Sequence, residues 1–175
     1  TEFDPETGKR RNLRTFSSTA DGLSYADGKL WWSESVPDAR WSLEMTSRIR
    51  SYDLATGHTG TLTRKGRLFN PSVSPDGTML AAVEYPVTGG SATGKVLRRR
   101  QMPDSLQAVE PRFMSNALIF NAISEGGSAI YRINAGLDGE PECLLGPVKV
   151  SIRNLVSAND KVYFSSDRDG TQELY

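Results

Sequence analysis

Short apolar runs separated by turn residues recur along the chain. The clearest example reads Asn-Pro-Ser-Val-Ser-Pro-Asp-Gly at 70–77 and continues into the largely apolar run 79–85. The same order of apolar run, turn and apolar run is found at 23–34, 112–121 and 155–166. Runs of this length with Gly, Asn or Asp between them predict β-hairpins. Helical periodicity is nearly absent, so we predict an all-β protein.

Two sets of turn dipeptides recur at similar intervals. The first has steps of 49, 39 and 44 residues and comprises Asp27-Gly28, Asp76-Gly77, Ser115-Asn116 and Asn159-Asp160. The second has steps of 49, 37 and 45 residues and comprises Thr7-Gly8, Thr56-Gly57, Thr93-Gly94 and Asp138-Gly139. A unit of roughly 40–50 residues with four strands is typical of one β-propeller blade. We therefore predict a β-propeller of four-stranded antiparallel sheets, with about four blades in this chain.

The recurring turns divide the chain into units of one propeller domain that spans residues 1–175. In the first complete unit, strands are expected near 22–26, 29–35, 46–54 and 59–63. The predicted units are 1–15 (the last two strands of a blade), 16–66, 67–109, 110–149 and 150–175 (partial). Because the chain opens and stops inside such units, we expect it to be a piece of a longer protein with roughly six or more blades.

The second unit is short between its two recurring turns. The interval is 17 residues there, against 29 in the first unit and 23 in the third, which leaves no room for a third strand. Either this blade has lost a strand, or residues between about 88 and 93 are missing from the sequence. We favour missing residues, because a lost strand would leave the hydrogen bonds of its neighbour unmade.

The turn at 74–78 has residues suited to each of its positions. Pro75 sets a φ of about −65° for an early turn position. Asp76 can accept hydrogen bonds from nearby backbone amides, and Gly77 can adopt a positive φ. We predict a structural turn between two strands that are buried between adjacent sheets.

A second loop, at 166–170, repeats this chemistry. We expect the carboxylates of Asp167 and Asp169 to accept backbone amides and Gly170 to close the hairpin. Calcium binding is the alternative, but a calcium loop needs further oxygen ligands and a glutamate at its twelfth position, beyond the last residue here.

The segment 71–82, with its Ser-Pro-Asp-Gly turn, resembles the TolB-type, WD-repeat-like propeller repeat. That family places such a turn between the first two strands of a blade. The C-terminal segment 162–175 resembles the second-to-third strand hairpin of the same family. The turns at 27–28 and 115–116 depart from the signature, so the resemblance is specific in its motifs only at 70–85 and 159–175.

This resemblance implies a role as well as a fold. It implies a non-catalytic scaffold that binds protein or polymer in a bacterial cell-envelope protein, in the periplasm or at the outer membrane. The partner would be another protein or a neighbouring domain of the same chain, and we expect neither a cofactor nor a metal. An isolated arc would expose apolar blade faces, so we also expect self-association of the chain unless its blades close on their own.

Two alternatives stay open at this point. The stretch 34–52 is similar to propellers that accompany a peptidase domain in bacterial envelope proteins. This similarity implies an accessory or gating role beside a prolyl-oligopeptidase-like or metallopeptidase domain. A carbohydrate-binding propeller that uses Trp41 is the other alternative.

The segment 31–48 has the richest set of candidate binding side chains. Tryptophan beside arginine is favoured at interface hot spots, and long loops on a rigid scaffold often carry function. The predicted ligand- or partner-binding residues are Trp32, Glu34, Asp38, Arg40, Trp41 and Arg48. The structural alternative is that one of Trp31 and Trp32 faces the core by strand alternation and that Trp41 covers a sheet edge.

Composition narrows the functional classes further. The chain has 21 basic and 21 acidic residues and no net charge, which disfavours duplex nucleic acid as a partner. No apolar run is long enough to span a membrane, so direct insertion is not expected. The single Cys143 is predicted to be buried in a short strand, and the single His58 to lie in a turn. The run 98–100 (three arginines) is expected on a solvated outer strand, with phosphate or acidic-partner binding as its alternative.

Overall fold

The computed structural model describes residues 1–15, 20–37, 45–64, 66–85 and 95–175. Within these ranges the chain forms strands, turns and loops and contains no helix, which confirms the predicted all-β class. The strands are β1 (Glu2–Phe3), β2 (Arg10–Arg11), β3 (Ala20–Ala26), β4 (Lys29–Pro37), β5 (Met45–Asp53), β6 (Thr59–Thr61), β7 (Leu68–Val73), β8 (Leu80–Glu84), β9 (Gln107–Met114), β10 (Ala117–Ser124), β11 (Gly127–Asn134), β12 (Glu142–Val148), β13 (Ile152–Ala158), β14 (Lys161–Ser166) and β15 (Glu173–Leu174).

The described strands form separate sheets, each made of strands that are consecutive in sequence. The sheets are β1–β2, β3–β6, β7–β8, β9–β12 and β13–β15, and every pairing is antiparallel. The four strands expected in the first complete unit match β3 to β6 closely. The hydrophobic pattern therefore located the strands well, because each hairpin is closed by a local turn.

The first set of recurring dipeptides lies where the sequence predicts, between the first and second strands of four sheets. At the β3–β4 turn Asp27 has a φ of 48° and Gly28 a φ of 69°. At the β13–β14 turn Asn159 and Asp160 have φ values of 50° and 56°. Positive φ at both central residues is the type I′ geometry, whose twist matches that of the flanking strands.

Two turns of the second set make the same pattern of hydrogen bonds. Oδ1 of Asp4 accepts the amide N–H groups two and three residues later at 3.0 and 3.3 Å, and Oδ1 of Asp53 does the same at 3.0 and 2.9 Å. The N–H groups of Gly8 and Gly57 then donate to the carbonyl oxygens of these aspartates at 2.8 and 2.9 Å. β1–β2 and β5–β6 are therefore equivalent hairpins, 49 residues apart.

The first strand of several sheets contains a bulge. The pairing with the next strand shifts near Gly22 in β3, Asn70 in β7 and Asn154 in β13, and these residues have φ values of 66°, 51° and 54°. A residue with left-handed φ bends its strand and increases its twist. Asn can adopt this conformation, although at a higher cost than Gly.

Successive sheets contact one another through these first strands. β3 contacts β7, β7 contacts β9, and β9 contacts β13. The sheet β9–β12 has a hydrophobic cluster on each face, because neighbouring residues of β10 point to opposite sides. One cluster contains Phe113, Leu118, Phe120, Ala122 and Ile133 and packs against Ala81 of β8. The other contains Ile119 and Ile130 together with Ile152, Leu155 and Phe164 of the following sheet.

The sheet β7–β8 has two strands in the described part of the chain. The described part of the chain resumes at residue 95, and residues 95–100 are not in a strand. The gap predicted between about 88 and 93 lies within 86–94, outside the described residues.

One buried position predicted from the sequence is wrong. Cys143 is exposed, not buried, and its thiol lies 3.7 Å from the carbonyl oxygen of Leu145. It belongs to β12, the strand at the edge of its sheet farthest from β9, where most residues are exposed. A short apolar sequence indicates a strand but does not say whether that strand is central or at an edge.

The close approach of Gly22 to Asn70 gives a test of the packing between first strands. A Cβ at residue 22 would lie 2.3 Å from the Asn70 Cα, in addition to the strain of a positive φ. We expect Gly22→Ala to lower the free energy of unfolding by about 3 kcal/mol in urea denaturation.

Gly28→Ala is the matched control, because Gly28 has a similar φ of 69° but no atom within 4 Å of the added Cβ. It should cost about 1 kcal/mol, the strain alone. Equal losses for the two variants would contradict the contact between β3 and β7.

Candidate functional site

The first strands of four consecutive sheets line one open cavity of about 520 Å³. We call it the first-strand cavity. It is lined by residues 23–25, by Ser72, Val73 and Pro75, by 112–115 and by 156–160. Each group includes a recurring turn or ends within two residues of one, so the turn ends of four first strands meet at this cavity.

Serine side chains bind these first strands to one another. The Ser24 hydroxyl accepts the Val73 N–H at 3.0 Å, and the Ser72 hydroxyl accepts the Phe113 N–H at 3.1 Å. The Ser157 hydroxyl donates to the Phe113 carbonyl at 2.5 Å. These serines satisfy backbone groups of neighbouring first strands. Side chains therefore hold the wall of the cavity together without a continuous ladder of backbone hydrogen bonds between the sheets.

A second row of hydrogen bonds lies beside the first. The Asn70 amide nitrogen donates to the Val109 carbonyl at 2.9 Å, and the Glu110 carboxylate accepts the Leu155 N–H at 3.0 Å. These bonds join the sheet β7–β8 to β9–β12, and β9–β12 to β13–β15. The bulged residue Asn70 therefore both bends its own strand and binds the next one.

Apolar side chains are exposed around this cavity. The exposed fractions are 60% for Leu23, 63% for Tyr25 and 50% for Val156. Arg112 lies among them, and burial lowers the pKa of its guanidinium while the nearby Glu110 carboxylate opposes that shift. An arginine remains protonated despite such a shift, so the cavity contains a cation beside apolar surface.

A second cavity, of about 400 Å³, lies beside the C-terminal half of β4 and the residues of β5 that pair with it. We call it the arginine cavity, and its lining residues are Arg14, Glu34, Ser35, Val36, Pro37, Arg48 and Arg50. Glu34 is directly opposite Arg48, and Trp32 directly opposite Arg50, in the β4–β5 register. Residues paired across a ladder share a face, so these side chains lie on the same side of the sheet.

Two of the predicted binding residues meet in the arginine cavity. The Glu34 carboxylate lies 3.9 Å from Arg48 Nε, and Arg50 Nη1 lies 3.7 Å from the same carboxylate. Arg50 and Arg14 were not predicted. Arg50 could have been found, because it follows Arg48 by two residues on the same face of a strand, whereas Arg14 arrives from a distant segment.

Trp32 is the other predicted binding residue that the structure describes, and it does not line the arginine cavity. Trp32 is fully buried, and its indole N–H donates to the Glu34 carboxylate at 3.2 Å, which assigns the ring to the interior of the sheet. Trp31 is half-buried, so strand alternation places one of the two tryptophans inside, as the structural alternative anticipated. Asp38, Arg40 and Trp41 lie outside the described residues.

The turn at 74–78 has the geometry that its residues indicate. The N–H of Gly77 donates to the Ser74 carbonyl at 2.9 Å, and Gly77 has a φ of 72°. Pro75 occupies the second position of this turn. Hydrogen bonds from the Ser74 hydroxyl and then from Thr78 hold the pKa of Asp76 below its ordinary value. The carboxylate is therefore committed to the turn.

The loop at 167–170 follows the prediction only in part. Asp167 accepts the Ser151 N–H at 2.7 Å, and the N–H of Gly170 donates to the Asp167 carbonyl at 2.9 Å. Asp169 instead accepts the hydroxyl of Tyr175, whose pKa this bond raises. The Arg168 guanidinium lies over the Tyr175 ring, 3.7 Å from its centroid. The expectation that Asp169 binds a backbone amide is wrong, because its carboxylate accepts a hydrogen bond from the hydroxyl of Tyr175, a residue later in the chain.

The arginine run at 98–100 is paired within the molecule and is not in a strand. Arg98 binds Asp138 at 2.8 Å, and Arg99 binds Glu84 at 2.7 Å. Arg100 donates to the Gly139 carbonyl at 2.6 Å. This run therefore fastens a connecting segment to its neighbours.

The described ranges contain no candidate metal site and no candidate membrane-spanning helix. Among those residues, no group of three or more His, Cys, Asp or Glu side chains is placed to hold a metal ion. In the same part of the chain, no helix has the length and apolar character needed to cross a membrane. The chain matches no protein-family model and no curated protein.

The serine bridges make a prediction about the cavity wall. Ser72→Ala would leave the buried N–H of Phe113 without its acceptor, so we expect a loss of about 1–3 kcal/mol in the free energy of unfolding. Ser166→Ala is the control, because the Ser166 hydroxyl is buried with no hydrogen-bond partner.

The control variant should unfold at the same or a slightly higher urea concentration than the parent. If Ser72→Ala behaved like Ser166→Ala, the bridge between β7 and β9 would not contribute to stability.

Proposed function

We propose that the sheets are successive blades, or parts of blades, of a β-propeller. The support is the order of the contacts: first strands lie beside first strands, while later strands of each sheet lie progressively farther from this row. The repeated turns and the bulged first strands point the same way. A radial stack of antiparallel sheets places its first strands around an axis, and the first-strand cavity would then be one end of the axial channel.

We propose that this propeller is a non-catalytic scaffold that binds a protein segment or another polymer. The observation that carries this proposal is the exposure of Leu23, Tyr25 and Val156 around the Arg112 guanidinium. Exposed apolar groups gathered on one surface, with a cation among them, are typical of a binding site. Hydrogen bonds between the first strands keep that surface in place before a partner arrives, which lowers the entropy lost on binding.

The chemistry of the lining favours an extended peptide over the other polymers. Apolar side chains of such a segment would cover Tyr25 and Val156, and a carboxylate would bind Arg112. The partner could be a separate protein or a neighbouring domain of the same chain. From the sequence resemblance alone, we place the scaffold in a bacterial cell envelope, in the periplasm or at the outer membrane.

A peptide selection tests the binding proposal. Peptides enriched on the purified chain from a random displayed library should carry apolar residues and at least one carboxylate. We expect Leu23→Ser or Arg112→Gln to weaken their binding at least about 10-fold in fluorescence anisotropy, because each removes a side chain that lines the cavity.

Matched controls are Leu144→Ser and Arg132→Gln, which change the same residue types at exposed positions outside the cavity. These variants should bind as the parent does. Failure to enrich any peptide, or equal weakening by the controls, would overturn the proposal.

The propeller proposal also predicts how the chain behaves in solution. Apolar side chains are exposed on both terminal sheets, with 55% exposure for Phe3 and 74% for Leu174. We expect light scattering after size exclusion to give a mass above that of one chain, or else a monomer with the small radius of a closed ring. A monomer with the larger radius of an open arc would contradict this arrangement.

A further inference from the structure

The arginine cavity has an excess of positive charge that its own residues do not balance. Its lining contains three guanidinium groups, from Arg14, Arg48 and Arg50, and one carboxylate, from Glu34. The side chains of Glu34 and Arg50 are largely shielded from solvent, with exposed fractions of 15% and 20%. Water therefore screens this excess less than it would on an open surface.

Glu34 does not use the hydrogen-bonding capacity of these arginines. Its distances to Arg48 and Arg50, 3.9 and 3.7 Å, exceed hydrogen-bond length. One of its oxygens instead accepts the indole N–H of Trp32. The Trp32 indole thus holds the Glu34 carboxylate between two guanidinium groups, and the carboxylate forms a bidentate ion pair with neither of them.

Donor groups of all three arginines lack partners within the described structure. The Nε atoms of Arg14, Arg48 and Arg50 are buried and make no hydrogen bond there. Arg14 is itself fixed, since its Nη1 donates to the Thr59 hydroxyl at 2.7 Å and its guanidinium faces the Tyr52 ring. A buried charged donor without an acceptor costs about 1–3 kcal/mol or more.

We infer that the arginine cavity is a binding site for a small dianion with oxygen acceptors, such as a phosphoryl group or a dicarboxylate. Three guanidinium groups and one carboxylate leave two positive charges to neutralise. Arginine presents planar pairs of donors that match both classes of oxyanion. The volume of about 400 Å³ also lies within the range of small-molecule sites.

This site is independent of the first-strand cavity. Its residues come from the C-terminal half of β4, from the residues of β5 that pair with it and from the segment after β2, and the two cavities share no lining residue. Failure of anion binding would leave the peptide-binding proposal standing, and failure of peptide binding would leave this one standing.

Calorimetric titration of the purified chain tests the inference. Inorganic phosphate and succinate are the two probes, each at low and matched ionic strength, with chloride as the blank. At least one dianion should bind with one site per chain, and the comparison assigns the phosphoryl or the dicarboxylate class. Binding should weaken steeply as salt is added, because the attraction is electrostatic.

Variants of the charged residues separate a binding role from a structural one. Arg48→Gln and Arg50→Gln should each weaken the binding of that dianion at least about 10-fold. Glu34→Gln should strengthen it, because it removes the competing negative charge while an amide oxygen remains to accept the Trp32 N–H. Arg132→Gln, an exposed arginine on β11, should change nothing.

Two results would overturn the inference. The first is the absence of saturable heat with both phosphate and succinate. The second is binding that Arg132→Gln weakens as much as Arg50→Gln, since this would be a general response to net charge. If Arg50→Gln does not fold, Arg48→Gln and Glu34→Gln carry the test, because their opposite signs cannot arise from a common loss of structure.

Discussion

The structure depends on the burial of apolar side chains between neighbouring sheets. The sheet β9–β12 shows this most plainly, with Leu118 and Phe120 packed toward β7–β8 and Ile119 packed toward β13–β15. Burial of one such side chain is worth about 1.5–3 kcal/mol. A single sheet cannot bury both of its own faces, so β9–β12 depends on the sheets that pack on either side of it.

The stack alone would not fix how far one sheet slides along the next. Bulges and serine bridges do this at the first strands, where Asn70 and Ser72 hold backbone groups of β9. Gly22 permits the approach of Asn70, because any larger residue would overlap it. A consequence is that equivalent segments of four sheets end side by side, and the first-strand cavity exists because of that alignment.

Some arginines of the chain form close ion pairs within the molecule, whereas others have no close carboxylate partner. Arg98 and Arg99 form close pairs with Asp138 and Glu84, and these exposed pairs fasten a connecting segment with little net energy. The guanidinium groups beside Glu34 are different, because their carboxylate is already held by Trp32. Such an arrangement retains donors for a ligand, at a cost in stability that ordinary packing would avoid.

The sequence alone determined the strands, their turns and the all-β class, because a hairpin depends on residues close together in the chain. Gly28 and Gly77 indicate turns in the sequence, because each turn needs a positive φ that few residues other than glycine adopt. The tertiary structure decided what the strands do with their side chains. Whether Trp32 is buried, whether Cys143 is exposed and which group reaches Asp169 all depend on segments far away in sequence. Strand periodicity gives two faces, but only the neighbouring sheets decide which of them meets solvent.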